Sequence, residues 1–317
     1  MRKFAYLQFQ TMPKNIVAPP HLKKGDKIAI TCPAKKLPGS IDSAIKLLES
    51  WGLEVVLGET VTASHHQYAG DDELRRKDMQ RFLDDPSIHA IVAARGGYGT
   101  IRIIDGLDFS AFKKSPKWLV GFSDITILHS HIFQTCGIQT IHGQMPLNVP
   151  DGTKPSLESL RKALFGMELL YDHPSSRFNK PGEARGILIG GNLTLLVMMN
   201  GSVSEMNYDD KILFIEDVGE YLYSIDRMLW SLKRAGKLSK LRGLIVGGFT
   251  DLKDNDISFG SGIEEIILEH VAGFGYPVCF DFPAGHIPDN HSLVFGKTVH
   301  LNVGTEKVSL TFNEDPA

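Results

Sequence analysis

Cysteine is scarce in this 317-residue sequence, and long hydrophobic runs are absent from it. The three cysteines, Cys32, Cys136 and Cys279, are scattered without C-x-x-C spacing, which argues against a disulfide framework and against a zinc site. No segment reaches the roughly 18–20 apolar residues that a membrane-spanning helix requires. We therefore expect no disulfides, no metal and no membrane partner.

An excess of charge of one sign is also lacking. The sequence has 34 Lys and Arg against 37 Asp and Glu, a formal net charge of -3, and no long block of either sign. This balance disfavours partners such as a nucleic-acid backbone or an anionic membrane surface. The N-terminal stretch MRKFAYLQFQTMPKN has no sustained apolar segment and no small-residue cleavage site. We interpret it as an extension rather than a signal peptide, and we expect a cytoplasmic location.

Strand and helix signals alternate through the first 145 residues, which is typical of a parallel α/β sheet. Residues 88–93 form a nearly continuous apolar run, as expected for a strand covered on both faces. The predicted strands of this part cover residues 27–32, 53–57, 88–93 and 118–122.

The composition changes between residues 151 and 183, where the sequence is polar and contains Pro155, Pro174 and Pro181. We place a domain boundary near residue 175. The prediction is an extension over residues 1–19, a first domain over 20–175 and a smaller, largely β second domain over 176–317. The predicted strands of the second domain cover residues 186–189, 211–215, 241–246, 278–280, 298–302 and 307–312.

The stretch LVGFSDIT, residues 119–126, places Ser123 where a buried strand turns sharply into a helix. Such a turn exposes a hydroxyl above the sheet edge and directs backbone N–H groups of the helix towards whatever the hydroxyl attacks. The stretch is not G-x-S-x-G, because Ile125 stands where the second glycine would be. Ser123 is thus a candidate nucleophile. The alternative is that Ser123 or Asp124 merely caps the following helix.

The stretch ARGGYGT, residues 94–100, follows the apolar strand 88–93. Its glycines permit a tight turn, and its N–H groups could hold a phosphate or a developing oxyanion. It lacks the G-x-G-x-x-G spacing and a P-loop lysine, which disfavours a nucleotide site. A plain structural turn is the simpler alternative, and we favour a loop that lines the site of Ser123.

Two later segments carry candidate partners for the serine. The apolar strand of ILFIEDVGE ends in carboxylates, the first of which is Glu216, and His286 lies in the loop AGHIPDN. A serine hydroxyl needs a base within hydrogen-bond distance, and that base needs an acceptor on its other nitrogen. No histidine pair has H-E-x-x-H spacing, so a metallohydrolase has little support. The rival candidates are the histidines His129, His131, His142 and His291 and the acids Asp217, Glu220 and Asp226.

These motifs together resemble the LD-carboxypeptidases, or muramoyltetrapeptide carboxypeptidases. The resemblance rests on GFSDIT, ARGGYGT, IEDVGEYLYSIDRML and AGHIPDN, with KGDKIAITCPA and GGNLTLL (residues 190–196) fitting as well, and it spans residues 20–312. It implies an α/β fold, with a flavodoxin-like parallel-sheet N-terminal domain and a smaller swivelling β/β/α C-terminal domain. It also implies a homodimer and an enzyme that needs no cofactor or metal.

The resemblance assigns a catalytic triad to Ser123, Glu216 and His286. It implies a serine hydrolase that removes the terminal D-alanine from diaminopimelate or lysine in muropeptide tetrapeptides, during peptidoglycan recycling. For the oxyanion we expect the N–H of Asp124 and one from the turn at Gly97. Arg95, Gly96 and Tyr98 of the same turn are candidate substrate contacts.

Two alternatives stay open at this point. The related self-immunity peptidases, which cleave peptidyl-nucleotide antibiotics such as microcin C, share the triad and differ in the substrate pocket. A ligand-binding protein without catalysis could also use the same scaffold, with Ser123 as a helix cap and the glycine-rich turn as a phosphate nest.

Overall fold

The computed structural model describes residues 15–312, so residues 1–14 of the predicted N-terminal extension lie outside the described residues. The helices are α1 (Asp42–Ser50), α2 (Asp72–Asp84), α3 (Ser110–Lys114), α4 (Thr126–Cys136), α5 (Lys154–Phe165), α6 (Leu193–Met198), α7 (Leu222–Arg234) and α8 (Ile263–Val271). The strands are β1 (Lys27–Thr31), β2 (Glu54–Leu57), β3 (Ile88–Ala93), β4 (Trp118–Gly121), β5 (Thr140–His142), β6 (Leu170–Pro174), β7 (Gly182–Asn192), β8 (Lys211–Val218), β9 (Gly243–Thr250), β10 (Val278–Cys279), β11 (Leu293–Phe295), β12 (Thr298–Val303) and β13 (Lys307–Phe312).

The first sheet has the strand order β11-β5-β4-β3-β1-β2. Strands β1 to β5 are mutually parallel, in the 2-1-3-4-5 order of flavodoxin-like folds, and β11 joins β5 antiparallel. The central strand β4 is buried along its whole length, as the apolar sequence predicts for a strand covered on both faces. The predicted parallel α/β fold of this part is therefore confirmed.

The second sheet has the order β10-β9-β8-β7-β12-β13-β6. Its strands β7 to β10 are parallel, whereas β12, β13 and β6 extend it antiparallel. All six strands predicted after residue 175 are present, although β7 is much longer than the segment 186–189. The carboxyl ends of β7, β8 and β9 meet at one edge, where ligands bind in open α/β sheets.

Each sheet receives one strand from across the predicted boundary. Strand β6 lies before residue 175 in the sequence but belongs to the second sheet. Strand β11 lies after residue 175 but belongs to the first sheet. The boundary near residue 175 therefore stays a prediction, and it describes the chain order rather than the composition of the two sheets.

The hydrophobic core runs continuously from one sheet to the other. Ile127 and Ile132 of α4 belong to the same apolar cluster as Leu193 and Leu196 of α6 and Ile215 of β8. Helix α4 packs against both α6 and β7. None of the helices in the described part of the chain is long and apolar enough to cross a bilayer. The packing fixes the helix that follows Ser123 directly against β7 of the second sheet.

Candidate active site

Ser123 occupies the sharp turn between β4 and α4. Its φ of 63° lies in the left-handed region, which a serine rarely adopts. Such a conformation costs about 1–3 kcal/mol and persists only where the surrounding structure imposes it. Neither the turn at residues 123–125 nor α4 has a side-chain cap. The backbone strain at Ser123 is typical of a nucleophile held above a sheet edge, and the helix-cap interpretation is wrong.

The three residues assigned by resemblance to the triad lie together. The Oγ of Ser123 is 3.0 Å from Nε2 of His286, and Nδ1 of the same imidazole is 2.5 Å from Oε2 of Glu216. Glu216 is fully buried, whereas the side chain of His286 is 18% exposed and so can meet a substrate. In this arrangement Ser123 donates to the imidazole, and the imidazole donates to the carboxylate. The geometry is that of a nucleophile, a general base and an orienting acid.

The charge of Glu216 sets the protonation of the base. Burial is the largest single effect and lowers the pKa of His286, whereas the carboxylate of Glu216 raises that pKa through its charge and its hydrogen bond. Asp217 and Asp251 act in the same direction, and the net effect holds the pKa of His286 above its usual 6.5. The other oxygen of Glu216, Oε1, has no hydrogen-bond partner among the described residues. The carboxylate therefore interacts chiefly with the imidazole.

The raised pKa of His286 predicts the acid side of the pH profile. A base must be neutral to accept a proton, so kcat/KM should be lost as pH falls through a midpoint above 6.5. Glu216→Gln should lower kcat by about 10⁴-fold, because an amide no longer selects the right tautomer. The substitution should also move the midpoint to lower pH, since burial lowers the pKa of His286 and the charge of Glu216 no longer raises it. Steady-state kinetics from pH 4 to 9 measures both effects.

Glu220→Gln is the matched control, because Glu220 lies on the same carboxylate-rich segment and does not contact His286. It should keep the wild-type midpoint. A midpoint that stays in place in Glu216→Gln, or one that moves equally in both variants, would contradict the assignment of Glu216.

The glycine-rich turn after β3 lies directly beside the nucleophile. A Cβ atom on Gly96 would lie 3.1 Å from the Ser123 Oγ and 3.3 Å from the backbone nitrogen of Asp124. A Cβ on Gly97 would instead meet the side chain of Lys35. Gly96 thus borders the space next to the hydroxyl, and the oxyanion role expected for the N–H groups of Asp124 and Gly97 stays a prediction.

The side chain of Asp124 ties the two loops together. Its Oδ2 accepts a hydrogen bond of 2.9 Å from the N–H of Thr100, at the end of the glycine-rich turn. Asp124 is almost fully buried, and burial raises the pKa of its carboxyl group. This bond holds the turn at a fixed distance from Ser123.

The other candidate substrate contacts lie on the same turn. Arg95 donates from Nη1 to the carbonyl of Lys36, so part of its guanidinium already has a protein partner. Tyr98 is 43% exposed, and its ring lies 6.2 Å from that of Tyr68. The predictions for Arg95 and Tyr98 are untested by these contacts and stay predictions.

The structure places the rival residues in other interactions. His129 bonds Thr140 and the carbonyl of Gly121, and burial lowers its pKa to about 4. Burial likewise lowers the pKa of His142 to about 3. The remaining rivals have these contacts: His131 with Ser204, His142 with Asn290, His291 with Asp289, Asp217 with Asn192 and Thr194, Glu220 with Thr194, and Asp226 with His270.

Asn290 is a residue whose role sequence reasoning missed. Its Oδ1 accepts from the N–H of Gly285, next to His286, at 2.8 Å, and lies 3.2 Å from Nε2 of His142 on β5. From the other side, Thr250 at the end of β9 donates to the carbonyl of His286. The loop of the base is therefore fastened to both sheets. The only signal in the sequence is that Asn290 ends the motif AGHIPDN.

A cavity of about 280 Å³ opens beside the imidazole. Its lining includes Phe122, Val218 and Ile287, which are apolar, and Asp251, which is acidic. The cavity gives a small molecule access to His286.

Comparisons with known proteins point to one family. The family model of the LD-carboxypeptidase N-terminal domain matches residues 28–143, and the family model of the LD-carboxypeptidase C-terminal domain matches residues 185–301. A probable murein peptide carboxypeptidase of Bacillus subtilis strain 168 is 36% identical over 90% of this chain and 91% of its own length. A murein tetrapeptide carboxypeptidase of Pseudomonas aeruginosa is 32% identical over 87% of this chain and 92% of its own length.

Solved structures show the same architecture. A muramoyltetrapeptide carboxypeptidase from Oxalobacter formigenes superposes with a TM-score of 0.82 at 30% identity, over 92% of this chain and all of the other. The microcin C7 self immunity protein MccF, in complex with aspartyl sulfamoyl adenosine, superposes with a TM-score of 0.83 at 21% identity. That match covers 94% of this chain and 99% of the other, and at such identity it shows the fold alone.

Proposed function

This chain belongs to the LD-carboxypeptidase family and is a serine carboxypeptidase, and we propose that it removes the terminal D-alanine from muropeptide tetrapeptides through an acyl-enzyme on Ser123. The observation that carries the proposal is the continuous hydrogen-bonded chain from Ser123 through His286 to Glu216. The family and the relatives named murein carboxypeptidases support the substrate class.

The mechanism follows from the order of the three side chains. His286 accepts the proton of Ser123 at Nε2 while the Oγ attacks the carbonyl of the diaminopimelate or lysine residue. Glu216 keeps Nδ1 protonated and stabilises the imidazolium that forms. His286 then returns the proton to the amine of D-alanine as the peptide bond breaks. Water, deprotonated by the same imidazole, hydrolyses the ester and restores Ser123.

The negative charge on the carbonyl oxygen needs donors. In this proposal the N–H of Asp124 and an N–H of the turn at Gly96 and Gly97 supply them, because Gly96 lies beside the Ser123 hydroxyl and the backbone nitrogen of Asp124. One such donor typically lowers the barrier by about 3–4 kcal/mol. Arg95 and Tyr98 on the same turn remain candidate contacts for the terminal carboxylate or the adjoining peptide.

A role in peptidoglycan recycling, a homodimer and a cytoplasmic location complete the proposal. The first two rest on the family, and the third accompanies the proposed recycling role. The murein substrate is preferred over a peptidyl nucleotide because the relatives with murein names reach 36% identity, whereas MccF shares the fold at 21%.

The experiment offers the wild-type protein a diaminopimelate tetrapeptide, the lysine tetrapeptide and a microcin C-type peptidyl nucleotide in parallel. Free D-alanine should appear from a tetrapeptide, with or without a chelator, and the nucleotide should stay intact. Cleavage of the nucleotide without D-alanine release would favour the immunity reaction. No turnover of any of the three would contradict the proposed substrates.

A further inference from the structure

The segment GGNLTLL ends β7 and begins α6, and the triad makes no use of it. Asn192 is the last residue of β7, and in the parallel pairing of β7 with β8 it lies directly opposite Glu216. It is only 6% exposed. A buried asparagine beside the orienting acid must have its polar groups satisfied, so its partners indicate what it does.

Asn192 contacts the helix of the nucleophile through its backbone. Its N–H donates a 3.0 Å hydrogen bond to Oγ1 of Thr126, which is the first residue of α4 and lies three residues after Ser123. Thr126 is fully buried. A Cβ on the preceding Gly191 would lie 2.5 Å from the same Oγ1, and Gly191 has a φ of +138°. The helix therefore rests directly on the backbone at the end of β7, which only glycine permits.

The side chain of Asn192 contacts the strand of the acid. Its Nδ2 donates to Oδ1 of Asp217 at 2.8 Å, and its Oδ1 accepts from the N–H of Leu195 at 3.3 Å. Because one end of the amide meets a carboxylate and the other meets an N–H group, its orientation is fixed.

Asp217 is itself held firmly. Its Oδ2 accepts from both the N–H and the hydroxyl of Thr194, each at 2.9 Å. The pairing of β8 with β9 shifts register between Ile215 and Asp217, so Glu216 sits at the irregularity. Such irregularities re-aim side chains next to active sites. The hydrogen bonds of Asp217 thus fix the backbone of β8 next to Glu216, at the irregularity in the strand pairing.

We propose that Asn192 is a positioning residue, which joins the helix that follows Ser123 to the strand that carries Glu216 and so sets the nucleophile relative to the acid–base pair. Thr126 and Asp217 are the two ends of this polar bridge. The inference rests on the proposed triad, because it explains how residues from two sheets keep hydrogen-bond distances. A displacement of 1 Å in such a site can reduce the rate by about 100-fold.

The test replaces the side chain of Thr126, which accepts the hydrogen bond from Asn192 and does not line the cavity beside His286. The contact of Thr126 with the carbonyl of Ser123 is made by its backbone N–H, which the substitutions leave in place. Thr126→Val keeps the branched shape and removes the acceptor, whereas Thr126→Ser keeps the hydroxyl and is the matched control. Tetrapeptide hydrolysis should lose up to about 100-fold in kcat in the valine variant, with KM within about twofold of wild type. The serine variant should recover most of kcat. Circular dichroism and thermal melts establish that each variant is folded at the assay temperature.

A second variant covers the case in which Thr126→Val does not fold. Asp217→Asn keeps the shape but turns one acceptor into a donor, so it cannot satisfy both Asn192 and Thr194. It should also lower kcat rather than raise KM. A folded Thr126→Val or Asp217→Asn with kcat near wild type would overturn the bridge. Equal losses in the valine and serine variants would overturn it too. Failure of the wild type to release D-alanine would instead count against the proposed function.

Discussion

Replacing Ser123 by alanine should reduce the turnover of a D-alanine-terminated tetrapeptide by about 10⁶-fold, the loss found when a triad nucleophile is removed. The hydroxyl of Ser123 makes the hydrogen bond to His286, and alanine removes this attacking atom. Little else should change, because the Ser123 hydroxyl caps no helix. Substrate binding should therefore persist, and KM should move far less than kcat. D-Alanine release over hours at high enzyme concentration measures the residual rate.

The control for this variant is Ser115→Ala, at an exposed serine after α3. It should match the wild type. A Ser123→Ala protein that keeps even a tenth of the wild-type rate would exclude an acyl-enzyme at this position, and the reaction would have to proceed by direct attack of water.

Replacing His286 by glutamine should reduce turnover by a similar factor of about 10⁶. Glutamine can still form hydrogen bonds, but it cannot accept the proton of Ser123 at neutral pH. The loop of residue 286 should keep its position, because Thr250 and Asn290 hydrogen-bond to its backbone and not to the imidazole. The acid limb of the pH profile, which the imidazole produces, should disappear from whatever activity remains.

A double variant, Ser123→Ala with His286→Gln, tests whether these two residues act together or contribute independently to the rate. If Ser123 and His286 act as one unit, the double replacement should be about as slow as either single one. Losses that multiply would mean that the two residues act separately. His300→Gln, on the half-exposed strand β12, controls for the removal of a histidine and should be fully active.

Much of the fold could be predicted from the sequence, because strong patterns and packing agree. The apolar run of β3 and the alternation of elements predict the parallel sheet, and Asp71 caps α2 as its acidic start suggests. The strands β6 and β11 are not predicted. They lie at the edges of their sheets, β11 has three residues, and β6 includes Asp172, His173 and Pro174. Edge position relaxes the need for a hydrophobic pattern.

Short apolar helices were also beyond sequence reasoning. The stretches LTLLVM of α6 and IEEIILEHV of α8 have apolar runs that suit a buried strand as well as a helix. The capping of α6 by Asn192 decides its start, and that depends on tertiary contacts with Asp217.

For the candidate site too, the sequence predicts the local features but not the contacts between distant residues. The turn at Ser123 and the glycine-rich loop are local features, so the sequence alone indicates them. The selection of His286 among twelve histidines and of Glu216 among adjacent carboxylates came from the family resemblance. The contacts of Asn192 with Thr126 and Asp217, and that of Asn290 with His142, join residues that lie far apart in the sequence, and no local pattern reveals such contacts.

The most direct test of the central claim is to map the adduct of a fluorophosphonate probe by mass spectrometry of proteolytic peptides. An activated serine should be labelled on Ser123 in the wild type, and Ser123→Ala and His286→Gln should stay unlabelled over the same time. An active wild-type enzyme that takes no label, or one labelled at another residue, would contradict the account.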